Sequence, residues 1–202
     1  MKTRKEARNM KDYKFYCQLD YEHVPYVSPT SPNGNLSNNG CGPISMTMIL
    51  ENLLGIDFPP EEGGKFAKAA GAREGFGTNF YILADKMVEH FPLDCIVTED
   101  AEEMIEFMRA GKGMVVANTY GDRDDYIGVF SNGGHYVVVA EATGDEIGVL
   151  DPMYKEGSGR FEIPGRKGKV RMEGNVAFAD YRVLKMDCRE RPFFLFSKRE
   201  EK

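Results

Sequence analysis

The sequence predicts an α+β protein, in which helix formers come first and strand formers follow. Three observations carry this. Helical periodicity recurs between residues 41 and 110, apolar strand-like runs separated by turn formers recur between 113 and 198, and no linker-like tract divides them. The expectation is therefore one domain over 1–202, with an N-terminal helical half packed on a C-terminal antiparallel β-sheet.

Along the chain, residues 1–14 are polar and read as a frayed or helical surface segment. Phe15 to Leu19 and Val24 to Val27 read as short strand-like runs. Residues 28–40 are almost all turn and loop formers and deliver the chain to Cys41. Pro43 suits the first turn of a helix, Ile44, Met48, Leu50, Leu53 and Leu54 continue it, and Gly55 suits its stop. Further helices are expected over Glu61 to Ala70, Phe80 to His90 and Asp100 to Arg109, with a Gly-rich connection at 71–78 and a short strand at 95–98. Strands are expected at Met114 to Thr119, His135 to Thr143, Ile147 to Leu150, Gly159 to Ile163, Val176 to Ala179 and Arg182 to Met186.

Composition narrows the function. The chain is 42% hydrophobic and 29% charged, with a formal net charge of -6. That balance is ordinary for a globular protein and gives no electrostatic footprint for nucleic acid. No apolar run approaches the ~20 residues of a membrane-spanning helix, so no membrane insertion is expected. The stretch Met1 to Tyr16 lacks an apolar signal core, and a reducing, cytoplasmic setting is expected. Four cysteines and three histidines without a C-x-x-C pair make a structural zinc site an unlikely use of them, and no metal or cofactor is expected. Walker A, G-x-S-x-G and H-E-x-x-H patterns are absent.

Asn39-Gly40-Cys41-Gly42-Pro43 is the most informative stretch. A cysteine just before a helix feels the unpaired N–H groups and positive end of the helix dipole, which favour thiolate over thiol. The flanking glycines are expected to let substrate and backbone approach the sulfur closely, and the Cys41 N–H is free to hold an oxyanion. The alternative is a small helix-cap or core cysteine. A nucleophilic thiol needs a base. His135 stands at the mouth of an apolar strand, whereas His23 lies in a polar loop and His90 ends an amphipathic helix. Asp151, at the end of the next strand and fixed by Pro152, is expected to accept Nδ1–H from His135; its alternative is a turn aspartate before proline. A two-residue Gly144-Asp145 turn alone would leave His135 and Asp151 on opposite faces. The pairing thus requires an odd-length loop or a β-bulge.

Four segments resemble the peptidase C39-like family of papain-like cysteine peptidases. They are Asn39-Gly40-Cys41-Gly42-Pro43 with the small and apolar residues after it, Gly133-Gly134-His135-Tyr136-Val137, Val149-Leu150-Asp151-Pro152, and Gln18-Leu19-Asp20-Tyr21. The resemblance spans about residues 15–155 and does not reach 156–202. The family often carries a Trp just after the glutamine; this chain has none, and Tyr21 stands near that position. The resemblance implies a papain-like fold, Cys41 as nucleophile, His135 as base, Asp151 as its orienting partner, and Gln18 completing the oxyanion hole. It implies a peptide or protein substrate laid between the helical half and the sheet. An amidase or acyltransferase on the same fold, or a non-catalytic peptide-binding relative, are the other readings; oligomeric state is left open.

Two stretches near these residues need a role. The loop Gly121 to Asn132, rich in Asp, reads either as a substrate-binding lid or as a solvated acidic turn. The basic stretch Arg160 to Arg171 reads as a solvated hairpin.

Overall fold

The computed structural model describes residues 12–200. Most of the surface segment expected at 1–14 lies outside the described residues. The chain enters through a 3₁₀ turn, Gln18–Tyr21. The strand expected at Phe15 to Leu19 does not form, because the Gln18 N–H donates to the Pro152 carbonyl (2.7 Å) rather than to a neighbouring strand. The loop that follows ends in a short helix, α1 (Leu36–Asn39), capped by the Asn35 side chain. Helix α2 (Cys41–Leu54) begins at the cysteine itself and stops at Gly55, whose φ of 70° is the left-handed conformation glycine adopts without penalty. Helix α3 (Pro60–Ala69) follows, then a small hairpin, β1 (Arg73–Glu74) and β2 (Gly77–Thr78), inside the Gly-rich connection. Helix α4 (Phe80–His90), strand β3 (Leu93–Thr98) and helix α5 (Ala101–Arg109) come next, both helices capped by the preceding Asn79 or Asp100 side chain.

The second half supplies β4 (Met114–Thr119), β5 (His135–Thr143), β6 (Glu146–Leu150), β7 (Arg171–Glu173), β8 (Val176–Asp180), α6 (Tyr181–Cys188) and β9 (Phe193–Lys198). Seven strands form one antiparallel sheet in the order β3-β9-β4-β5-β6-β8-β7. Helical and antiparallel β elements thus pack as an α+β fold, as the sequence predicts.

Both faces of the sheet are buried, and the period-two alternation sorts their side chains. Val116, Val138, Leu150, Phe194 and Phe196 pack with residues of α2 and α4 on one face. Val115, Val137, Val139, Val149, Phe193 and Leu195 pack with α5 and α6 on the other. The expected division into a helical half and a β half is therefore corrected in two ways. Strand β3 of the first half joins the sheet, and α5 covers the face opposite α2.

Two strand assignments are overturned. Residues Arg182 to Met186 are helical: Tyr181, Leu184 and Cys188 are buried at helical spacing, and Asp180 caps the Arg182 N–H. The short apolar run Val183-Leu184 between Arg182 and Lys185 only imitates a strand. Residues Gly159 to Ile163 are turns, because Arg160 and Phe161 go inward to partners other than a β ladder. Strand β9, not anticipated, lies between β3 and β4 as an unbroken apolar run, the pattern of a strand buried on both faces.

Phe194 sits in that strand with its ring 4.8 Å from Phe80 and 5.1 Å from Tyr81, centroid to centroid. Phe194→Ala should cost about 3–5 kcal/mol, the range for removing a buried aromatic. Urea denaturation should show this as a lower midpoint at constant slope.

Candidate active site

Cys41 opens α2, the most deeply buried helix; Gly42 through Glu51 are all buried. The glycines around it serve the backbone rather than substrate access. A Cβ at Gly40 would lie 2.4 Å from the Leu36 carbonyl oxygen, and one at Gly42 would lie 2.7 Å from Thr78 Cβ. Gly40 thus permits the tight α1–α2 junction, and Gly42 lets β2 approach the first turn of α2. The first N–H groups of α2 have no intrahelical acceptor and point towards the sulfur's end of the helix. Cys41 is half-buried and lines a cleft of about 370 Å³.

His135 is the first residue of β5 and is buried, at 5% exposure. Its backbone carbonyl accepts from Thr119 Oγ1 (3.2 Å) across the β4–β5 pair. Its Nε2 bonds Asp151 Oδ1 at 2.8 Å. The expected use of Nδ1 for that contact is therefore corrected: Nδ1 is the nitrogen left for Cys41, with which the ring also hydrogen-bonds. The register that allows this is the expected bulge. Thr143 pairs with Glu146 across a two-residue turn, but Ala140 is an extra residue on β5. Beyond it Val138 faces Leu150, so the next residue, Asp151, falls on the side of His135.

Asp151 is fully buried. Oδ1 also accepts the Met153 N–H (2.9 Å), and Oδ2 accepts Arg160 Nε (2.6 Å). Arg160 in turn donates through Nη2 to the Phe130 carbonyl. The basic stretch is thus no solvated hairpin at this point. Arg160 is largely buried against Asp151. Arg166, at 3% exposure, donates to the Gly128 carbonyl and the Asn132 side chain; Lys167 and Lys169 remain exposed. The planar fork of each guanidinium satisfies several acceptors at once, which is what lets an arginine be buried. Neither motif nor periodicity marks these two arginines in the sequence.

The loop at 121–132 is neither a free lid nor a solvated turn. The buried Asp187 accepts Tyr126 Oη, Val129 N–H and Phe130 N–H, and Val129 and Phe130 are fully buried. Arg160 and Arg166 hold its carbonyls from the other side. Asp122, Asp124 and Asp125 are exposed: Asp122 accepts the Gly128 N–H (2.8 Å), and Asp124 and Asp125 stand beside Arg123.

Gln18 lines the same cleft as Cys41 and is buried. Its Nε2 donates to the Ser37 carbonyl (2.7 Å), and its Oε1 is buried without a partner. One amide hydrogen remains for the cleft. Tyr21 turns away and stacks on His23, which is exposed near Glu61; His90 bonds the Lys86 carbonyl. Neither histidine lines the cleft.

The charges are mutually supporting. Burial pushes the Cys41 thiol up, but the bond and charge of His135 and the N–H groups of Tyr136 and Gly42 outweigh it and hold the thiol below its ordinary value. Burial pulls the His135 imidazolium down, but bonds to Asp151 and Cys41 raise it to about 9. Burial pushes the Asp151 carboxyl up, and His135, Arg160 and the Met153 N–H more than offset this, leaving it below the usual range.

No family model matches the chain, and no curated protein does. Among solved structures, it is similar to the peptidase domain of Streptococcus ComA, a bi-functional ABC transporter involved in a quorum sensing pathway. The TM-score is 0.49 and the identity 10%, over 79% of this chain and 91% of that one.

Arg160→Met would leave Asp151 Oδ2 buried without its cation. The expected cost is about 3–5 kcal/mol, the range for stripping one partner from a buried ion pair, read as a lower urea midpoint.

Proposed function

We propose that the protein is a cysteine hydrolase that cleaves peptide bonds through an acyl-enzyme on Cys41. The observation that carries this reading is the unbroken hydrogen-bonded chain Cys41–His135–Asp151, with the sulfur opening on a cleft. A sulfur made anionic by an adjacent imidazolium and a helix N-terminus is a competent nucleophile near neutral pH.

In this reading the Cys41 thiolate attacks the substrate carbonyl carbon and its π electrons move to oxygen. The Cys41 backbone N–H and the remaining amide hydrogen of Gln18 receive that oxyanion. The His135 imidazolium gives its proton to the leaving amine as the C–N bond breaks, leaving a thioester and a neutral ring. The ring then takes a proton from water, whose hydroxyl attacks the thioester and restores thiolate, imidazolium and a free acid. Asp151 accepts from Nε2–H throughout, which fixes the ring so that Nδ1 faces the sulfur. Asn38 and Asn39 of α1, Phe76 of the hairpin, Asn118 of β4 and Met153 line the cleft, so a peptide would meet mainly uncharged surface. Phe76, 75% exposed at the rim, offers an apolar contact.

Thiol labelling, a pH profile and a substitution at Gln18 test this reading. Iodoacetamide at pH 6 should alkylate Cys41 selectively, because burial is the main cause raising the thiols of Cys17, of Cys95 (to about 12) and, well above its ordinary value, of Cys188. Cys41→Ser should abolish that labelling, and His135→Ala should slow it. Labelling of Cys41 at the rate of a free thiol would defeat the hydrolase reading. Hydrolysis of peptides should fall on the alkaline side near pH 9, where His135 loses the proton it must donate. On the acid side it should fall as the thiolate is protonated, below the ordinary thiol value. Gln18→Ala should lower kcat by about 10²–10³, the worth of one oxyanion donor.

A further inference from the structure

One charged side chain in the cleft has no part in the mechanism above. Arg191 is half-buried, lines the cleft with Cys41 and His135, and sits beside the segment that leads into the histidine. Its Nη1 would lie 3.1 Å from a Cβ placed on Gly134. That nitrogen donates to Asn118 Oδ1 and to the Thr119 carbonyl, both at 3.2 Å, and the guanidinium lies over the Tyr120 ring at 4.7 Å. These partners are all neutral. Among the described residues no carboxylate pairs with Arg191, and none lines the cleft. Acidic residues outnumber basic ones in this chain, 32 to 26, so a cation without a carboxylate beside the sulfur is not explained by a shortage of acids.

The backbone that presents Arg191 carries a second sign. Arg189, two residues before it, is the one non-glycine among the described residues with positive φ (56°), with ψ of -120°. Such a conformation costs energy and persists where surrounding structure enforces it, most often at functional sites. Here it ends α6 and turns the chain so that the Arg191 N–H bonds the Cys188 carbonyl (3.0 Å). Thr119, opposite His135, and Asn118, opposite Tyr136, then hold Nη1 of the guanidinium, and among the described residues no hydrogen-bond partner meets Nε or Nη2.

We propose that Arg191 is a specificity residue that binds a carboxylate on the leaving-group side of the substrate; this rests on the cysteine-hydrolase reading. The side follows from the proton. His135 gives its proton to the leaving amine, so the departing segment lies over the ring, and Arg191 stands beside Gly134, the residue that precedes His135. The oxyanion donors, Gln18 and the Cys41 N–H, serve the carbonyl that stays on the sulfur. A planar guanidinium with a free edge matches a carboxylate in two-point geometry. The carboxylate is either an acidic side chain just after the scissile bond or the terminal carboxylate of a short departing segment.

A matched pair of alkylating agents tests this without a known substrate. Iodoacetate and iodoacetamide differ by one negative charge, and both react at Cys41. The ratio of their second-order rate constants, iodoacetate over iodoacetamide, cancels any change in thiolate content. In Arg191→Gln this ratio should fall about fivefold or more, as expected for losing a cation that lines the same cleft as the reacting sulfur, and Arg191→Lys should restore most of it. An unchanged ratio in Arg191→Gln, or an equal fall in Arg191→Lys, overturns the proposal. Slow labelling of Cys41 by iodoacetamide in the unmutated protein would instead defeat the hydrolase reading itself. Digestion of a mixed peptide library by the unmutated protein separates the two carboxylates. Preference for Asp or Glu over Asn or Gln after the cut points to the side chain, and loss of cleavage on C-terminal amidation points to the terminus. Indifference to both changes overturns the proposal.

Discussion

A carboxylate with no exposure to water must be matched on every lone pair, and Asp151 imposes that demand on four separate parts of the chain. His135 and Arg160 bring opposite charges to its two oxygens, and the Met153 N–H completes Oδ1. Each partner drags its own element into register. The bulge at Ala140 exists on the strand that carries His135. Arg160 ties the turns after β6 to the Phe130 carbonyl, and so to the loop that leads into β5. Directly after Asp151, the Pro152 carbonyl takes the Gln18 N–H, which sets the 3₁₀ turn beside the cleft. One buried anion thereby coordinates segments separated by more than a hundred residues.

The same anion sets the electrostatic pattern. Sulfur, imidazole, carboxylate and guanidinium stand in a row that runs from the half-buried Cys41 at the cleft to the buried Asp151 and the largely buried Arg160. Desolvation opposes every ion, and neighbours outweigh it at Cys41, His135 and Asp151. A buried ion pair is a weak source of net stability, since the solvation given up is comparable to the attraction gained. What the row secures is a bias in protonation: its neighbours raise the imidazole to about 9 and hold the thiol below its ordinary value. Helix α2 adds to this by directing its unpaired N–H groups at the same sulfur.

Much of this was legible in the sequence because it follows from local rules. Capped helices over Phe80–His90 and Ala101–Arg109, the Gly55 stop and the strands Met114–Thr119 and His135–Thr143 all have strong periodic patterns and end at turn formers. The need for a bulge between His135 and Asp151 followed from parity alone. What escaped had long-range causes. Strand β9 has no alternation to read, since burial on both faces makes every residue apolar. Helix α6 reads as a strand because five residues, Arg182 to Met186, are too short a window for the helical spacing of exposed Arg182, Lys185 and Met186 to stand out. Arg160 and Arg166 look like surface charges until the carboxylate and carbonyls they serve are folded against them. The glycines around Cys41 are legible as places of close approach, and the neighbours that come close are Leu36 and Thr78.

The strand order carries a consequence for how the protein is made. Cys41, His135 and Asp151 all precede β9, yet β9 is the strand that joins β3 to β4 and supplies Phe193, Phe194, Leu195 and Phe196 to the two cores. During synthesis the chain therefore emerges from the ribosome with its reactive groups already complete while β4 is still an open edge and both cores lack their central aromatic wall. A nascent chain cannot close its sheet until residues 193–198 are free of the exit tunnel.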